Sequence, residues 1–395
     1  MKLLYYSPAS YGGLADYAHE QANALDSLGI EVILLCTPNY LNCRSPKYKC
    51  VPILREVSSE VAASKLVVLN KVLKAIYFIR NTLYNISMLV SFIHKAHIQD
   101  VLFGSYAEYF APLWAGSLKK LAKSGVTFGA VVHDPVRDFV LGPLWWHRLS
   151  IAAGYSFLQL AFVHEAIQLD TVKPMPDLKV TVIPHGPYAQ AAPTESVAET
   201  RARLRLPIEA KVMLAFGHIR ANKNLDLVIR AMVQVPDVHL VIAGKELQTE
   251  QNLVARYQQL AESLGVGDRC RWEIGFVDEP TVANLFNMAD LILLTYSRSF
   301  YSASGVLNMA AGYQRACLVS AGTSALKSIA QQYQLGLWVE PDDVDAIIQG
   351  IKQWKQEPLK LNWPKFIEEN SWHNNAQLVV KTFKSQGLNS YPHLL

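Results

Sequence analysis

The chain has few of the residues that mark disulfide-rich or disordered proteins. Of its 395 residues, 5 are cysteine, 21 are glycine and 19 are proline, and only 18% are charged. This composition excludes a collagen-like, a disulfide-scaffold and a disordered chain. The odd cysteine count fits a reducing compartment, and the even spacing of Cys36, Cys43 and Cys50 does not match a zinc site. We therefore expect ordinary thiols.

Long hydrophobic runs are also missing. Hydrophobic residues make up 51% of the chain, but no stretch reaches the ~18 uninterrupted apolar residues of a membrane span. The first apolar run covers residues 3–6 and is shorter than the ~7–15 residues of a secretory signal. We therefore expect a cytoplasmic protein, with room for about two domains at roughly 100–200 residues each.

The positive charge is distributed unevenly. The net charge of the chain is +4, but twelve basic and four acidic residues between Arg44 and Lys123 give that segment a net charge of +8. A basic sector indicates an anionic partner. Residues 64–97 are basic and amphipathic, and residues 141–163 are largely apolar, with Trp145 and Trp146. Both stretches predict either packed helices or peripheral contact with an anionic membrane. Nucleic-acid binding is not expected, because its motifs are missing.

Short apolar runs alternate with amphipathic stretches along most of the chain. The predicted strands cover residues 2–6, 31–36, 100–103, 127–132, 160–163, 180–183, 212–216, 239–244, 270–274, 290–294, 316–320 and 336–339. Predicted helices in the second half cover residues 224–235, 247–264, 279–288, 305–313, 323–332 and 344–356. This alternation is typical of α/β folds, in which helices cover both faces of a parallel sheet.

A proline-rich segment divides the pattern into two series. We predict a Rossmann-like domain at residues 1–187, a linker at 188–207 and a second Rossmann-like domain at 208–370. Ligands of such sheets bind outside the carboxyl ends of the strands, so the expected site is a cleft between the two domains.

Three motifs at strand ends could bind phosphate. Gly12 and Gly13 lie between the first strand and a helix, where a close backbone approach and a helix N-terminus favour an anion, although a simple tight turn remains an alternative. Arg220 and Lys223 follow the strand that ends at Gly217 and suit a diphosphate, unless they are merely a solvated basic loop. Ser304, Gly305, Val306 and Leu307 begin another helix after a strand. Together these motifs predict a ligand with a diphosphate in its middle.

Further segments occur with these motifs in a family order. They are VVHDP (131–135), VIPHG (182–186), VIAGKE (241–246) and IGFVDEPTVANLFNMADLILLTY (274–296). The chain therefore resembles a retaining GT-B glycosyltransferase of family 4 (group 1) over nearly its whole length. The resemblance implies two Rossmann-like domains whose parallel sheets face each other across a cleft. It also implies a closing helix in residues 371–395 that crosses back to the N-terminal domain.

The activity implied by the resemblance is transfer of a sugar with retention and without a metal or other cofactor. The donor would be a nucleotide-sugar, with UDP favoured over GDP, for example UDP-glucose. The acceptor would be a saccharide or a lipid-linked saccharide in bacterial polysaccharide or cell-envelope assembly. Peripheral contact with the inner membrane face would suit such an acceptor. No metal-binding acidic pair is required, and Asp342, Asp343 and Asp345 are better explained as caps of the following helix.

The resemblance also assigns roles to individual residues. The residues expected at the catalytic centre are Gly13, His133, Arg220 and Lys223. The expected donor-binding residues are Gly12, Gly13, Gly217, Arg220, Lys223, Gly244, Lys245, Phe276, Val277, Ser304, Gly305, Val306, Leu307 and Asn308. The expected acceptor residues are Asp16 and Glu20. His164 and His185 also end strands, but a histidine at a strand end is most often structural.

One departure from the family pattern concerns a pair of glutamates that contact the donor. Their positions are occupied by Tyr301 and Met309, neither of which is a carboxylate, although Asn308 could hydrogen-bond a ribose hydroxyl. A lost sugar contact can weaken transition-state binding. Two alternatives therefore stay open: a catalytically silent sugar-nucleotide-binding or membrane scaffold protein, and a GT-B nucleotide-sugar epimerase.

Overall fold

The chain folds into two units, each built on one parallel sheet. The computed structural model describes residues 1–57, 67–133, 135, 140, 142–188, 190–246, 252–300 and 304–389. One unit runs from Met1 to His185 and includes the segment that begins at Ser371, whereas the other runs from Gly186 to Asn370. We call them the N-terminal and the C-terminal unit.

The N-terminal unit contains a seven-stranded sheet in the order β3-β2-β1-β4-β5-β6-β7. Its strands are β1 (Lys2–Tyr6), β2 (Glu31–Leu35), β3 (Lys49–Val51), β4 (Asp100–Phe103), β5 (Thr127–Val131), β6 (Leu160–Val163) and β7 (Lys179–Val182). Successive side chains of β1 point to opposite faces, so Leu3 and Tyr5 join one buried cluster and Leu4 and Tyr6 join another. The continuous apolar runs of the sequence therefore reflect burial on both faces.

Helices cover both faces of this sheet. They are α1 (Gly13–Ser27), α2 (Val67–Ala96), α3 (Ala115–Lys123), α4 (Leu144–Tyr155) and, at the end of the chain, α13 (Trp372–Asn389). Short 3-10 helices lie at Pro38–Cys43 and Glu108–Leu113. Although α2 is 30 residues long, the helices in the described ranges fall short of the combined length and hydropathy needed to cross a membrane.

The C-terminal unit contains a six-stranded sheet in the order β10-β9-β8-β11-β12-β13. Its strands are β8 (Lys211–Phe216), β9 (Val238–Gly244), β10 (Cys270–Ile274), β11 (Leu291–Thr295), β12 (Ala316–Ser320) and β13 (Gly336–Trp338). The strand order reverses between β8 and β11. A crevice forms outside the carboxyl ends at such a point, so the loops after β8 and β11 are placed to bind a ligand.

Eight helices are described in the C-terminal unit. They are α5 (Val197–Arg203), α6 (Leu225–Ala231), α7 (Leu253–Ser263), α8 (Glu279–Met288), α9 (Gly305–Tyr313), α10 (Leu326–Gln332), α11 (Val344–Gln356) and α12 (Trp363–Glu369). Short 3-10 helices lie at Ala221–Lys223, Met232–Gln234 and Gly267–Arg269. Of the helix predicted at residues 224–235, only Leu225–Ala231 is α-helical, and a 3-10 helix follows at Met232–Gln234. Residues 247–251 of another predicted helix lie outside the described ranges.

The segment predicted as a linker carries a helix that packs into the C-terminal unit. Ser196 begins α5 with a capping box, in which its hydroxyl accepts from the Glu199 backbone and the Glu199 carboxylate accepts from the Ser196 backbone. Arg201 is buried and donates to Asp290 at 3.0 Å. The first unit ends at His185 and the C-terminal unit begins at Gly186, so residues 188–207 belong to the C-terminal unit and contain a helix despite their prolines.

Helix α13 belongs to the N-terminal unit, although it closes the sequence. It packs against α1, and Ala376, Val379 and Phe383 are buried in the cluster that also contains Leu3 and Tyr5. A buried network fixes its start, because the Asn375 side chain exchanges hydrogen bonds with the side chains around it. Gln21 donates to the Asn375 oxygen at 2.7 Å, and Asn375 donates to the Tyr17 hydroxyl at 3.0 Å and the Pro184 carbonyl at 2.7 Å.

Candidate functional site

Two glycines bring the loops after β8 and β9 into contact in the C-terminal unit. Gly217 has φ +92°, and a Cβ on Gly244, which has φ +139°, would clash with the Gly217 carbonyl. The Gly217 N–H donates to Ala243 O at 3.0 Å, and Ile219 N–H donates to Lys245 O at 2.9 Å. Only glycine allows this conformation and this close approach.

Lys223 lies against this glycine turn. Its Nζ donates to Phe216 O at 2.5 Å and lies 3.3 Å from the point where a Cβ on Gly217 would stand. Val306 Cγ2 lies 3.6 Å from the same point, so the first turn of α9 adjoins the lysine. Burial and, second, the Arg220 guanidinium lower the pKa of Lys223 to about 7. The structure thus places Gly217, Lys223 and Val306 together, with the exposed Arg220 close by.

Helix α9 begins at this same edge of the sheet. Ser304 is its N-cap and accepts from Leu307 N–H at 3.2 Å, while its hydroxyl also shares a hydrogen bond of 2.9 Å with the Tyr296 hydroxyl. The Tyr296 ring stacks on Phe300 with a centroid distance of 3.9 Å. A helix N-terminus carries a partial positive charge, so the Gly305 end of α9 adds to the charge of Lys223 and Arg220.

Tyr301 and Met309 occupy the two positions where the family pattern has glutamates. Tyr301 lies outside the described residues. Met309 is partly buried and packs into an apolar cluster of the C-terminal unit, and Asn308 beside it in sequence is buried. A glutamate at position 309 would therefore need to leave that apolar cluster to reach a ligand.

The residues predicted to contact the nucleobase follow β9 and β10. The Gly275 N–H donates to Gly244 O at 3.0 Å, which joins the two loops beside Lys245. Phe276 is 91% exposed and Val277 is partly buried. The described geometry therefore offers an open aromatic ring next to the glycine turn.

In the N-terminal unit, the glycine loop after β1 is held by Arg44. Gly12 has φ +77° and is the N-cap of α1, and its carbonyl accepts from Ala15 and Asp16 N–H groups. The buried Arg44 guanidinium donates to Ser10 O at 2.8 Å and forms an ion pair with the Asp16 carboxylate. Sequence reasoning did not identify Arg44, because it lies far from the loop along the chain.

The structure places the two residues predicted near the acceptor, Asp16 and Glu20, one turn apart on α1. Asp16 spends its carboxylate on Arg44, and neither Asp16 nor Glu20 lines the two described cavities of the N-terminal unit. Leu14 lines both cavities, whereas Asp16, two positions further along α1, lies on another face of the helix.

Three histidines cluster around Tyr17 at the carboxyl ends of β5, β6 and β7. The ring centroid of Tyr17 lies 4.7 Å from His133, 5.3 Å from His164 and 5.1 Å from His185. His133 Nε2 donates to Gly104 O at 3.0 Å and His164 Nδ1 donates to Ile183 O at 3.2 Å. The repeated pattern of a histidine after an apolar strand was the available signal for this cluster.

Burial keeps two of these histidines neutral. It lowers the pKa of His133 to about 4, with a second contribution from His185, and lowers that of His164 well below its usual value. The Nε2 atom of His164 is buried and has no hydrogen-bond partner among the described residues. Because its Nε2–H is held by Gly104 O, a neutral His133 can accept a hydrogen bond from a sugar hydroxyl at Nδ1, and it is not an acid at neutral pH.

His133 also borders a cavity of about 650 Å³ in the N-terminal unit. Leu14 and Ser105 line the cavity beside it, and most of the remaining wall is apolar or aromatic.

The acidic residues near 342 do not form a second site in the C-terminal unit. Asp343 caps α11, as predicted, and Asp342 accepts from Asn224 at 2.9 Å and from Arg298 N–H at 3.0 Å.

Comparison with known proteins identifies the type of fold. The family model for "Glycosyl transferases group 1" matches residues 196–378. An uncharacterized glycosyltransferase of Methanocaldococcus jannaschii is 24% identical over 253 residues, which cover 60% of this chain and 63% of that protein. D-inositol 3-phosphate glycosyltransferase of Mycobacterium ulcerans is 29% identical over 247 residues, which cover 60% of this chain and 50% of the relative. The matches therefore span between half and two thirds of these relatives.

A solved structure matches the chain over its whole fold. Anabaena HepE, solved in complex with UDP and glucose, superimposes with a TM-score of 0.68 at 14% identity and covers 98% of this chain and 100% of its own. This likeness and the two parallel sheets confirm the expected GT-B fold. The roles of the individual site residues remain predictions.

Proposed function

We propose that the chain transfers a sugar from a nucleotide-sugar to a saccharide acceptor, because the model of the glycosyl transferases group 1 family matches residues 196–378. Transfer proceeds with retention, UDP-sugars such as UDP-glucose are the favoured donors, and the acceptor is a free or lipid-linked saccharide. The setting is polysaccharide or cell-envelope assembly.

One observation carries the proposal. The Lys223 ammonium and Val306 in the first turn of α9 both lie beside the glycine turn after β8, at 3.3 Å and 3.6 Å from the point where a Cβ on Gly217 would stand. A cationic side chain beside a helix N-terminus, next to a backbone that a ligand can approach closely, is suited to a diphosphate. The exposed Arg220 adds a second cation on the same loop.

The chemistry follows from where negative charge develops. As the bond between the sugar and the diphosphate breaks, the leaving phosphate gains charge, which Lys223, Arg220 and the α9 N-terminus stabilise. These positive groups belong to the chain itself, so we expect turnover in the presence of EDTA. In the retaining reaction, the leaving phosphate accepts the proton of the acceptor hydroxyl on the same face of the sugar.

The choice of UDP is supported by similarity. HepE was solved with UDP and glucose, and its fold matches that of this chain. The described edge offers Phe276 and the backbone of the loop at Gly244 to a base.

Calorimetric titration with UDP, GDP and ADP in EDTA tests the nucleotide site. We expect one nucleotide, UDP, to bind at micromolar strength, and the matching sugar-nucleotide to release its sugar slowly when no acceptor is present. Binding without release, with or without a broad acceptor mixture, would favour the silent binding protein that Met309 suggests. Release of an epimerised sugar would favour an epimerase, and no binding would reject the site.

We also propose contact with an anionic membrane surface. Leu73, Ile76, Leu144 and Trp145 are exposed on α2 and α4, and Lys74, Arg80 and Arg148 on the same helices are exposed cations. Such a surface binds anionic lipid through both charge and apolar area. Cosedimentation with phosphatidylglycerol vesicles should weaken steeply between 50 mM and 500 mM salt, whereas absent or salt-insensitive binding would reject this contact.

A further inference from the structure

The cavity of the N-terminal unit has a polar end and an apolar wall. Ser105 and His133, which follow β4 and β5, lie at the end where the strands finish. Hydroxyl and imidazole groups are suited to a sugar, whereas a wall of aromatic rings is suited to an apolar group. With a volume of about 650 Å³, the cavity is large enough for a ligand bigger than one sugar ring.

The apolar wall is a continuous row of aromatic rings. Phe78 of α2 lies 5.6 Å from Phe110, and Phe110 lies 6.5 Å from Trp146 of α4, measured between ring centroids. All three rings line the cavity. The row continues outward to Trp145, whose ring is 5.8 Å from Trp146 and which is 65% exposed. An apolar chain lying along this row would remain in contact with rings from Phe78 to the exposed Trp145.

A second, smaller cavity adjoins the first on its polar side. It has a volume of about 290 Å³ and shares Leu14 and Phe78 with the larger one. Ser10 and Glu56 line it, and the Ser10 hydroxyl donates to the Glu56 carboxylate. The two cavities together therefore combine hydroxyl and carboxylate groups, including Glu108 of the larger cavity, with aromatic rings.

We propose that these cavities bind an acceptor glycoside with an apolar aglycone. The sugar occupies the end at His133, Ser105 and Ser10, and the aglycone lies along Phe78, Phe110 and Trp146. This assignment rests on the proposed glycosyl transfer and narrows its acceptor to an amphipathic molecule. The aglycone could belong to a membrane lipid or to a free alkyl or aryl glycoside, because both present the same chemistry to the rings.

A chain-length series on the full-length protein tests the assignment. Calorimetric titration would use n-alkyl β-D-glucopyranosides from methyl to octyl, each below its critical micelle concentration. Burial of each added methylene is worth about fourfold in affinity when the chain lies against apolar rings. We expect the dissociation constant to fall progressively along the series. An affinity that does not change with chain length would overturn the proposal.

Two variants locate the effect. In Phe78→Ala and in Trp146→Ala, the dissociation constant should depend less on alkyl chain length than it does in the wild type. Each variant should bind octyl glucoside at least tenfold more weakly than the wild type does. Trp146→Phe should keep most of the gain because a ring remains. Val180→Ala is the matched control, since Val180 is 44% exposed on β7 and does not line the cavities. A gain that persists in both alanine variants, with melting temperatures near wild type, would also overturn the proposal.

Two further readouts separate the possible outcomes. UDP binding, which depends on the C-terminal unit, is measured on the same samples. If UDP does not bind but glucoside affinity still rises with chain length, the nucleotide-sugar function is rejected and the apolar site is not. If UDP binds but glucoside affinity does not change with chain length, only the apolar site is rejected. Cosedimentation with phosphatidylglycerol–phosphatidylcholine vesicles that weakens in Trp145→Ala would support a membrane lipid as source, and chain-length-dependent binding without cosedimentation would support a free glycoside.

Discussion

At the scale of single residues, Lys223 shows how an ordinary lysine becomes a titrating group near neutral pH. Its Nζ is held by one carbonyl, Phe216 O, and no carboxylate pairs with it among the described residues. Desolvation and the Arg220 charge then lower its pKa to about 7. The diphosphate that we propose to bind here would supply the missing negative charge and raise that pKa.

This shift predicts that nucleotide affinity falls in alkaline solution. Below pH 7, Lys223 of the free protein is already protonated, so the dissociation constant of UDP should not depend on this group. Above pH 7, binding must take up a proton, and the dissociation constant should rise by up to tenfold per pH unit. Titration calorimetry between pH 7 and 9 measures the slope. In Lys223→Ala the slope should disappear, and a slope that persists there would assign the effect to another group.

Removing either cation of the loop should slow turnover more than it weakens substrate binding. Lys223→Ala and Arg220→Ala each remove a group that we propose to stabilise the leaving phosphate, and we expect a loss of about 2–3 kcal/mol in transition-state stabilisation. Steady-state kinetics with the identified donor would give the ratio of kcat/KM values. Lys355→Ala is a control, because Lys355 pairs with Asp237 in an exposed ion pair. Wild-type turnover in both loop variants would contradict the placement of the diphosphate.

At the scale of elements, the glycine loop depends on a residue from outside its own β-α unit. Arg44 follows the 3-10 helix Pro38–Cys43 and joins the Ser10 carbonyl to the Asp16 carboxylate. A loop with φ +77° at Gly12 has few bonds of its own, so this guanidinium supplies its external support.

Arg44→Ala should therefore loosen the loop and lower stability. It leaves the Ser10 carbonyl and the Asp16 carboxylate without this donor, at an expected cost of about 1–3 kcal/mol in the free energy of unfolding. Urea denaturation gives this value. Asp16→Asn keeps the shape of the side chain and removes only the charge, so its loss should be smaller. Equal stability of Arg44→Ala and wild type would contradict the role of Arg44 as a support.

The elements also show which parts of the fold the sequence predicts. Buried strands such as β1 and β6 were predicted at their observed bounds, because a run of four apolar residues in an α/β pattern favours a buried strand. The three-residue edge strand β3 was missed, since Lys49–Val51 carries too short a pattern. Helix α5 was missed because nearby prolines masked a capping box.

The site was predicted unevenly for a related reason. Backbone-driven features, the glycine turns and the start of α9, follow from local sequence. The side-chain contacts of the site do not follow from local sequence. The ion pair of Asp16 with Arg44 and the aromatic contact of Phe110 with Trp146 join residues that are far apart in the chain. No spacing rule connects such residues, so only the folded structure brings them together.

At the scale of the whole molecule, the histidine cluster links one unit's stability to pH. His133 and His164 are neutral in the folded protein because burial lowers their pKa values, whereas both are free to protonate near pH 6.5 when unfolded. Their contribution is complete above about pH 6.5 and is lost as the pH falls toward 4. Other groups that face the cluster are His185 and the Tyr17 hydroxyl.

Acid should therefore unfold the N-terminal unit through these histidines. We expect the melting temperature to fall between pH 6.5 and 4.5, and His164→Gln to reduce that fall by removing one proton-binding group. Differential scanning calorimetry across this range measures both. Val180→Ala, outside the cluster, should follow the wild-type curve. An unchanged pH dependence in His164→Gln would exclude this histidine as a cause of the acid transition.

The last helix makes the N-terminal unit dependent on the end of the chain. Removing residues from 371 onward would expose the apolar surface that Ala376, Val379 and Phe383 cover, and would leave Gln21 without Asn375. We expect such a truncation to lower the melting temperature of the N-terminal unit by more than 10 °C, because several buried side chains are lost together. Calorimetry tests this, and Phe383→Ala is a milder companion. A truncated chain with an unchanged melting profile would show that α13 is dispensable.

The return of α13 also fixes an order of events during synthesis. A ribosome delivers the strands of the N-terminal sheet first, but the helix that covers one face of that sheet emerges only after the whole C-terminal unit. The Gly186–Asn370 unit, by contrast, is continuous in sequence and has left the ribosome in full before Trp372 appears. The unit that begins first is therefore completed last, and until then its uncovered face around Leu3 and Tyr5 is the part of the nascent protein that a chaperone would protect.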